Sequence, residues 1–391
     1  MKYSFDEVVD RAHDPYSFSG KWGNWAAGSI GMDKLPEDAI CLQTADMDFK
    51  AAPEIVEDLI KVAEHGVFGY SMTNDRYTDA VRGWFHDRFG WDFDAKDIIY
   101  TPGTHTAVAE CVKRLTNPGE GVIVTTPCYS YHGDIEPNGR VFVAVPLLKD
   151  EDNYYTVDYE AFEKACAVPE NTMFVLCHPH NPSGRVFTPE ELTRMTEICR
   201  KHHVIIVSDE VHCDIVRKGV DFHPLMEVVG PEGVVACTAV NKTFNLAGLA
   251  MSNMVIRDPE LKERFGRFFS LPSPFGIQAV ISAYTKGLPW VEALNEYIDE
   301  SLTYVVDFFH EKMPEVKVRM PEGTYILWLD FSGFGLSDDE LEQKFRDKHM
   351  VMSYGKGFDT ENERQWIRMC LPSAHSVIKE ACRRIYEAFK G

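Results

Sequence analysis

The sequence predicts an α/β fold built on a mostly parallel sheet, and three observations predict it. Short apolar, valine-rich runs alternate with amphipathic runs of helical length. Several of the apolar runs are followed by a turn or a helix start. The chain has 391 residues with 45% hydrophobic composition, enough for a large core and two domains.

Residues 1 to about 45 read as irregular, with "GKWGNWAAG" rich in Gly and Trp. "APEIVEDLIKVAEHG" (52–66) has the helical spacing of Ile55, Leu59 and Val62, with Gly66 as its stop. "DRYTDAVRGWFHDRFG" (75–90) reads the same way. "DIIY" is followed by "TPGTHTAVAECV", a glycine turn that opens a helix. The strands expected next are "GVIVTT", "VFVAVPL", "TMFVLC", "VIIVSD", "VVACTAV" and "MSNMVIR", with "PEELTRMTEICRKHH" (189–203) as a helix among them. From about residue 290 the character changes. A long helix, "WVEALNEYIDESLTYVVDFFHEKM", leads to "TYILWLDF" and two further amphipathic helices, the pattern of a second, α+β domain. The expected division is 48–288 for the large domain, with 1–47 and 289–391 forming the small one.

Charge and composition exclude several classes. Lys and Arg number 40 against 61 Asp and Glu, a net charge of −21. Such a chain repels phosphate backbones, so no nucleic-acid partner is expected. No apolar run approaches the roughly 20 residues that span a bilayer. The polar start "MKYSFDEVVDRAHD" has no apolar core of a signal peptide. The ten cysteines form no C-x-x-C pair, and several sit inside apolar runs. Reduced thiols in a cytoplasmic protein are therefore expected.

Ligands of open parallel sheets bind beyond the carboxyl ends of the strands. The residues that follow each apolar run are informative on that basis. They are Asn181 after "MFVLC", Asp209 and His212 after "VIIVS", Lys242 after "VVACTAV", Tyr129 after "GVIVTT", and the helix start at Gly103, Thr104 and His105 after "DIIY". Singly, each has a plain structural explanation as a turn former, a solvated lysine or a packed ring. Together they place an amine, a carboxylate, an amide, an aromatic ring and a helix N-terminus on one edge. Free N–H groups at a helix N-terminus bind phosphate. The set suits pyridoxal 5′-phosphate (PLP), a phosphorylated aromatic aldehyde that needs a lysine and an acidic partner for its ring nitrogen. "HPH" (178–180) offers two histidines but no third ligand, so no metal is expected.

"HNPSGRV", "SDEVH" and "NKTFNLAGL" together resemble fold-type I PLP enzymes of the aminotransferase superfamily. More narrowly they resemble its cystathionine β-lyase / cysteine-S-conjugate C–S lyase branch. "ADMDF" (45–49), "FGYS" (68–71), "PEGTYILWLDF" (321–331) and "WIRMCLP" (366–372) fit the same branch in order. The resemblance implies a three-layer, PLP-dependent transferase-like large domain beside a smaller α+β domain. It implies Lys242 as the Schiff-base lysine and as the acid and base at the substrate Cα. Asp209 would keep the ring nitrogen protonated, Asn181 would bond the ring 3-oxygen, and Tyr129 would stack on the ring. Backbone N–H groups of Thr104 and His105, after Gly103, would hold the phosphate, and Asn241 could donate to it. His212 stands where many aminotransferases have a tyrosine.

Arg368 would bind the substrate carboxylate, with Asp46 and Tyr325 as further substrate-side candidates. Tyr70 would reach the phosphate of the neighbouring subunit, implying a homodimer with shared sites. The expected reaction is β-elimination from L-cystathionine or related cysteine thioethers to thiol, pyruvate and ammonia. Transamination of an L-amino acid with a 2-oxo acid is the alternative. Four departures lie near the expected site: Ala239 and Asn241 where the family usually has serine, "CLQT" before "ADMDF", "RMC" at 368–370, and His178.

Overall fold

The computed structural model describes residues 3–129, 131–358 and 362–391. Seven strands form the central sheet: β1 (Ile98–Thr101), β2 (Gly121–Thr126), β3 (Val141–Pro146), β4 (Asn171–Cys177), β5 (Ile205–Asp209), β6 (Val234–Ala239) and β7 (Ser252–Ile256). Their spatial order is β1-β7-β6-β5-β4-β2-β3. β7 runs antiparallel to both β1 and β6, and the other pairs are parallel.

Both faces of the sheet are covered. Along β4, Met173, Val175 and Cys177 face one apolar cluster, while Phe174 and Leu176 face the other. β6 alternates in the same way, with Val235 and Cys237 opposed to Val234 and Ala236. This is why the inner strands β4, β5 and β6 read as apolar runs: almost every residue in them is buried whichever way it points. Helix α3 (Thr104–Leu115) packs on one face through Ala107, Val108, Cys111 and Leu115. On the other face lie α1 (Pro53–His65), α2 (Asp75–Phe89), α4 (Pro189–Lys201) and α5 (Pro274–Lys286). α4 is set by a capping box, in which Thr188 and Glu191 satisfy each other's backbone N–H groups.

The long helix α6 (Leu288–Lys312) leads to a separate antiparallel sheet. Its strands are β8 (Ile326–Asp330), β9 (Ser353–Tyr354) and β10 (Trp366–Cys370), with β10 in the middle. Helices α7 (Asp338–Arg346) and α8 (His375–Lys390) complete this part. The first 45 residues, expected to be irregular, contain a six-residue helix at Asn24–Ser29 and a short strand at Ile40–Cys41. Ile40 and Cys41 pair in parallel with Met350 and Val351, so the start of the chain is tied to its far end.

Two of the quoted motifs join the parts of the molecule. Arg185 of "HNPSGRV" is buried and donates to Glu322 of "PEGTY" at 2.9 Å and to Glu191 at 2.7 Å. Gly184 has φ of +72°, and a Cβ there would meet Pro321 Cβ at 2.3 Å, so only glycine fits this close approach. All ten cysteines are free and buried.

Candidate active site

The parallel strands β4, β5 and β6 end side by side, with Cys177, Asp209 and Cys237 in register. The segments leaving them open onto a cavity of about 790 Å³. Its walls include Asp46, Gly103, Thr104, His105, Tyr129, Asn181, Asp209, His212, Asn241, Lys242 and Arg368. Eleven of the thirteen site residues named from the sequence thus face one space. The other two are Tyr325 and Tyr70. Tyr325 is fully buried just behind the wall, and its hydroxyl donates to the Ala45 carbonyl at 3.1 Å. Tyr70 is 97% exposed on the outside of the chain.

Lys242 leaves the sheet three residues after β6 and is partly buried. Its Nζ donates to the same Ala45 carbonyl at 2.7 Å. Burial lowers its pKa below the usual lysine value, with Asp46 opposing and Arg368 assisting that shift. Asp209 is buried and accepts from the Tyr131 hydroxyl at 3.2 Å and from the Val211 N–H at 3.3 Å. Burial raises its pKa, while the charge of His105 opposes the rise. Burial, with the nearby cations Lys242 and Arg368, pushes His212 well below the usual histidine value, so this ring is neutral at pH 7.

Arg368 sits in mid-strand on β10, buried, with its guanidinium between the rings of Tyr129 and Phe358 at 5.3 and 5.1 Å. It donates to the Gln43 carbonyl at 2.6 Å and to Asn181 Oδ1 at 3.4 Å. Helix α3 begins at Gly103 with no side-chain cap and no acidic residue in its first turn. Thr104 and His105 of this first turn line the cavity, and no side chain caps their N–H groups.

Sequence reasoning missed the frame behind this wall. The strap 45–49 is held almost entirely by side-chain donors. Tyr325 and Lys242 bond the Ala45 carbonyl, Lys21 the Asp46 carbonyl at 3.0 Å, and Arg11 the Met47 carbonyl at 2.6 Å. Asn245 donates to the Met47 and Phe49 carbonyls. The buried Asp48 carboxylate accepts from Arg11, Lys21, Trp22 and Ser373. Despite its burial these donors hold it below the usual carboxylate pKa. The Asp46 carboxylate is held by Arg11 at 2.6 Å.

Of the four departures, Ala239 brings no donor, and the Thr238 hydroxyl is buried without a hydrogen-bond partner and lies outside the cavity lining. His178 and His180 are packed, uncharged side chains: burial pushes both down to about 3. Among the described residues no cluster of three metal-ligating side chains occurs.

Unsatisfied buried polar atoms test whether the cavity suits PLP. His212, Asn241 and Arg368 line it, and each carries a buried polar atom without a hydrogen-bond partner, Nδ1, Oδ1 and Nε respectively. Buried groups of this kind are normally paired, so a polar guest is the natural complement. An anionic, hydrogen-bonding aromatic group fits this set together with the uncapped helix N-terminus.

The model of the family described as aminotransferase class I and II matches residues 37–385. The chain belongs to that family. Cystathionine beta-lyase PatB of Bacillus subtilis (strain 168) is 35% identical over 378 residues, covering 92% of this chain and 96% of that protein. Protein MalY of Escherichia coli (strain K12) is 33% identical over 358 residues, covering 89% of each. Cystalysin from Treponema denticola, whose crystal structure contains pyridoxal 5′-phosphate, superposes with a TM-score of 0.94 at 30% identity. That match covers 100% of this chain and 99% of cystalysin. Within the family, the chain stands in the cystathionine β-lyase and C–S lyase branch.

Proposed function

We propose that this protein is a PLP-dependent C–S β-lyase that cleaves L-cystathionine or a related cysteine thioether to thiol, pyruvate and ammonia. One observation carries the reading: Lys242, Asp209, Asn181, Arg368 and the uncapped N-terminus of α3 converge on a single cavity. The relatives named above support the reaction type.

In this reading the first-turn N–H groups of α3, at Thr104 and His105, hold the PLP phosphate, with Asn241 as a further donor. Asp209 would hold the ring nitrogen and Asn181 the ring 3-oxygen, with the neutral His212 and Tyr129 packing against the ring. PLP supplies an electron sink for the negative charge that develops at the substrate Cα. Arg368 holds the substrate carboxylate with its planar fork. Lys242, with its lowered pKa, takes the Cα proton, and the thiolate departs from Cβ. Asp46 and Tyr325 shape the substrate side, Tyr325 through the Ala45 carbonyl. The chain divides into 48–288 as the large domain and 1–47 with 289–391 as the small one.

The same residues would also suit transamination, for which Lys242 would again be the group that carries the proton. A solved putative aminotransferase from Clostridium difficile 630 superposes with a TM-score of 0.94 at 33% identity. A paired assay separates the two. PLP-loaded protein is given L-cystathionine with and without a 2-oxo acid, and pyruvate and thiol are followed. Both products are expected without an acceptor; turnover that depends on the acceptor overturns the lyase reading.

The reading also makes the protein a homodimer. Val67, Phe68, Tyr70 and Met72, all in the α1–α2 connection, are exposed apolar side chains. Patches of such side chains mark partner surfaces. A second copy would cover them and bring Tyr70 to the neighbouring cavity. Sedimentation at micromolar protein should give a dimer, and a monomer at that concentration would remove the shared site. Among the described residues no helix is long and apolar enough to cross a membrane. A cytoplasmic location is part of the proposal, supported by the ten free, buried thiols.

A further inference from the structure

Two buried carboxylates near the cavity are treated differently by their surroundings. Asp48 has two cations in direct contact, Arg11 at 2.9 Å and Lys21 at 2.8 Å. Asp209 has none: among the described residues no lysine, arginine or histidine lies within salt-bridge distance of it. Its two donors are neutral and long. An unpaired buried carboxylate tends to take up a proton. Yet pairing with a protonated ring nitrogen requires Asp209 to be ionised.

The turn that runs from Tyr131 to Ile135 supplies a route. The Tyr131 hydroxyl donates to Asp209, and three residues on Asp134 holds His105, Nδ1 to Oδ2 at 2.6 Å. Asp134 is itself fixed on that turn, its N–H donating to the Tyr131 carbonyl at 2.9 Å. The His105 ring lies 5.4 Å from the Tyr129 ring and 6.2 Å from the Tyr131 ring, on the cavity wall. Asp134 beside Nδ1 keeps a proton on that nitrogen and favours the charged form of the ring.

We propose that His105, fixed by Asp134, is a positioning residue for Asp209: its imidazolium keeps the buried carboxylate ionised from across the Tyr131 turn. The inference rests on the PLP reading above and assigns the His105 side chain a task separate from its backbone N–H. The charged groups facing His105 are Asp134 on the turn, Asp209 at the end of β5 and Lys242 beyond β6; Tyr129 and Tyr131 present neutral rings. Asp134 holds the imidazole above the usual histidine pKa, with Asp209 adding to the effect and Lys242 opposing it. The support for an ionised Asp209 is therefore present above the pH at which that carboxyl takes up its proton, and is lost as pH rises through the raised His105 value.

The test uses the cofactor-free protein and two ligands. His105 is titrated by NMR with labelled histidine in the wild type, D134N and D209N. Both substitutions should lower its pKa, because charge coupling is reciprocal; an unchanged titration in D209N overturns the proposal. Binding of PLP is then compared with that of an analogue that carries carbon in place of the ring nitrogen and keeps the phosphate. H105Q should weaken PLP about tenfold more than it weakens the analogue, the equivalent of one pKa unit. Equal loss for both would put His105 at the phosphate or in the pocket shape, and overturns the proposal. A wild type that binds no PLP defeats the lyase reading instead, and the NMR coupling then stands or falls by itself.

Discussion

Lys242→Ala is expected to lower pyruvate release from a cysteine thioether by more than about 10³-fold, near the upper range for loss of a positioned acid–base group. The geometry explains the size. Asp46, Asp209 and Arg368 also face the cavity, but none can replace the amine. Asp46 is held by Arg11, Asp209 pairs with the ring nitrogen in the proposed reading, and Arg368 is engaged with Gln43 and Asn181. His212 is neutral, but burial and two cationic neighbours leave it a poor proton acceptor. The variant should fold, because Lys242 makes one hydrogen bond, to a carbonyl that Tyr325 also serves. Near-native turnover would remove Lys242 from the chemistry. The check is a rate measured together with PLP content, so that loss of cofactor is not mistaken for loss of catalysis.

Arg368→Lys is expected to raise KM for the amino-acid substrate by roughly 30- to 150-fold, with a smaller change in kcat. Two charge-assisted hydrogen bonds to a carboxylate are worth about 2–3 kcal/mol when one is lost or misaligned. Lysine keeps the charge but offers a single point in place of a planar fork. It also cannot fill the space between the Tyr129 and Phe358 rings or donate at once to Gln43 and Asn181. Steady-state kinetics with an ester or amide of the same substrate completes the test. If the arginine binds the carboxylate, the variant and the wild type should handle the uncharged derivative alike. An unchanged KM for the free acid would move carboxylate recognition elsewhere.

Much of this site was legible because of one topological habit. In parallel sheets neighbouring strands end on the same edge, so residues that follow separate apolar runs become neighbours in space. Asn181, Asp209 and Lys242 follow β4, β5 and β6, which are adjacent both in sequence and in the sheet. Their convergence could be read before any contact was known. The strap's anchors could not. Arg11 and Lys21 lie in a polar segment without periodicity, and their partners are 25 to 37 residues away. A charged residue there looks like any solvated surface residue until the fold pairs it. The Asn24–Ser29 helix was hidden for a related reason: it is short, glycines flank and interrupt it, and no side chain caps it. The His105–Asp134 contact joins a helix start to a one-turn helix 29 residues on, and no local pattern encodes it.

The strap's attachments also set the order in which the molecule can be completed on the ribosome. Gln43 and Asp48 belong to the first eighth of the chain, yet their partners Arg368 and Ser373 are translated more than 300 residues later. Ile40 waits equally long for Met350. A nascent chain therefore carries Ile40, Gln43 and Asp48 without these late partners through most of its synthesis, while the central sheet forms behind them. Contacts of such sequence separation close late and slowly. The cavity is then among the last features to form, and a polypeptide interrupted before residue 366 has the cofactor-facing strand ends of the sheet without the wall that encloses them.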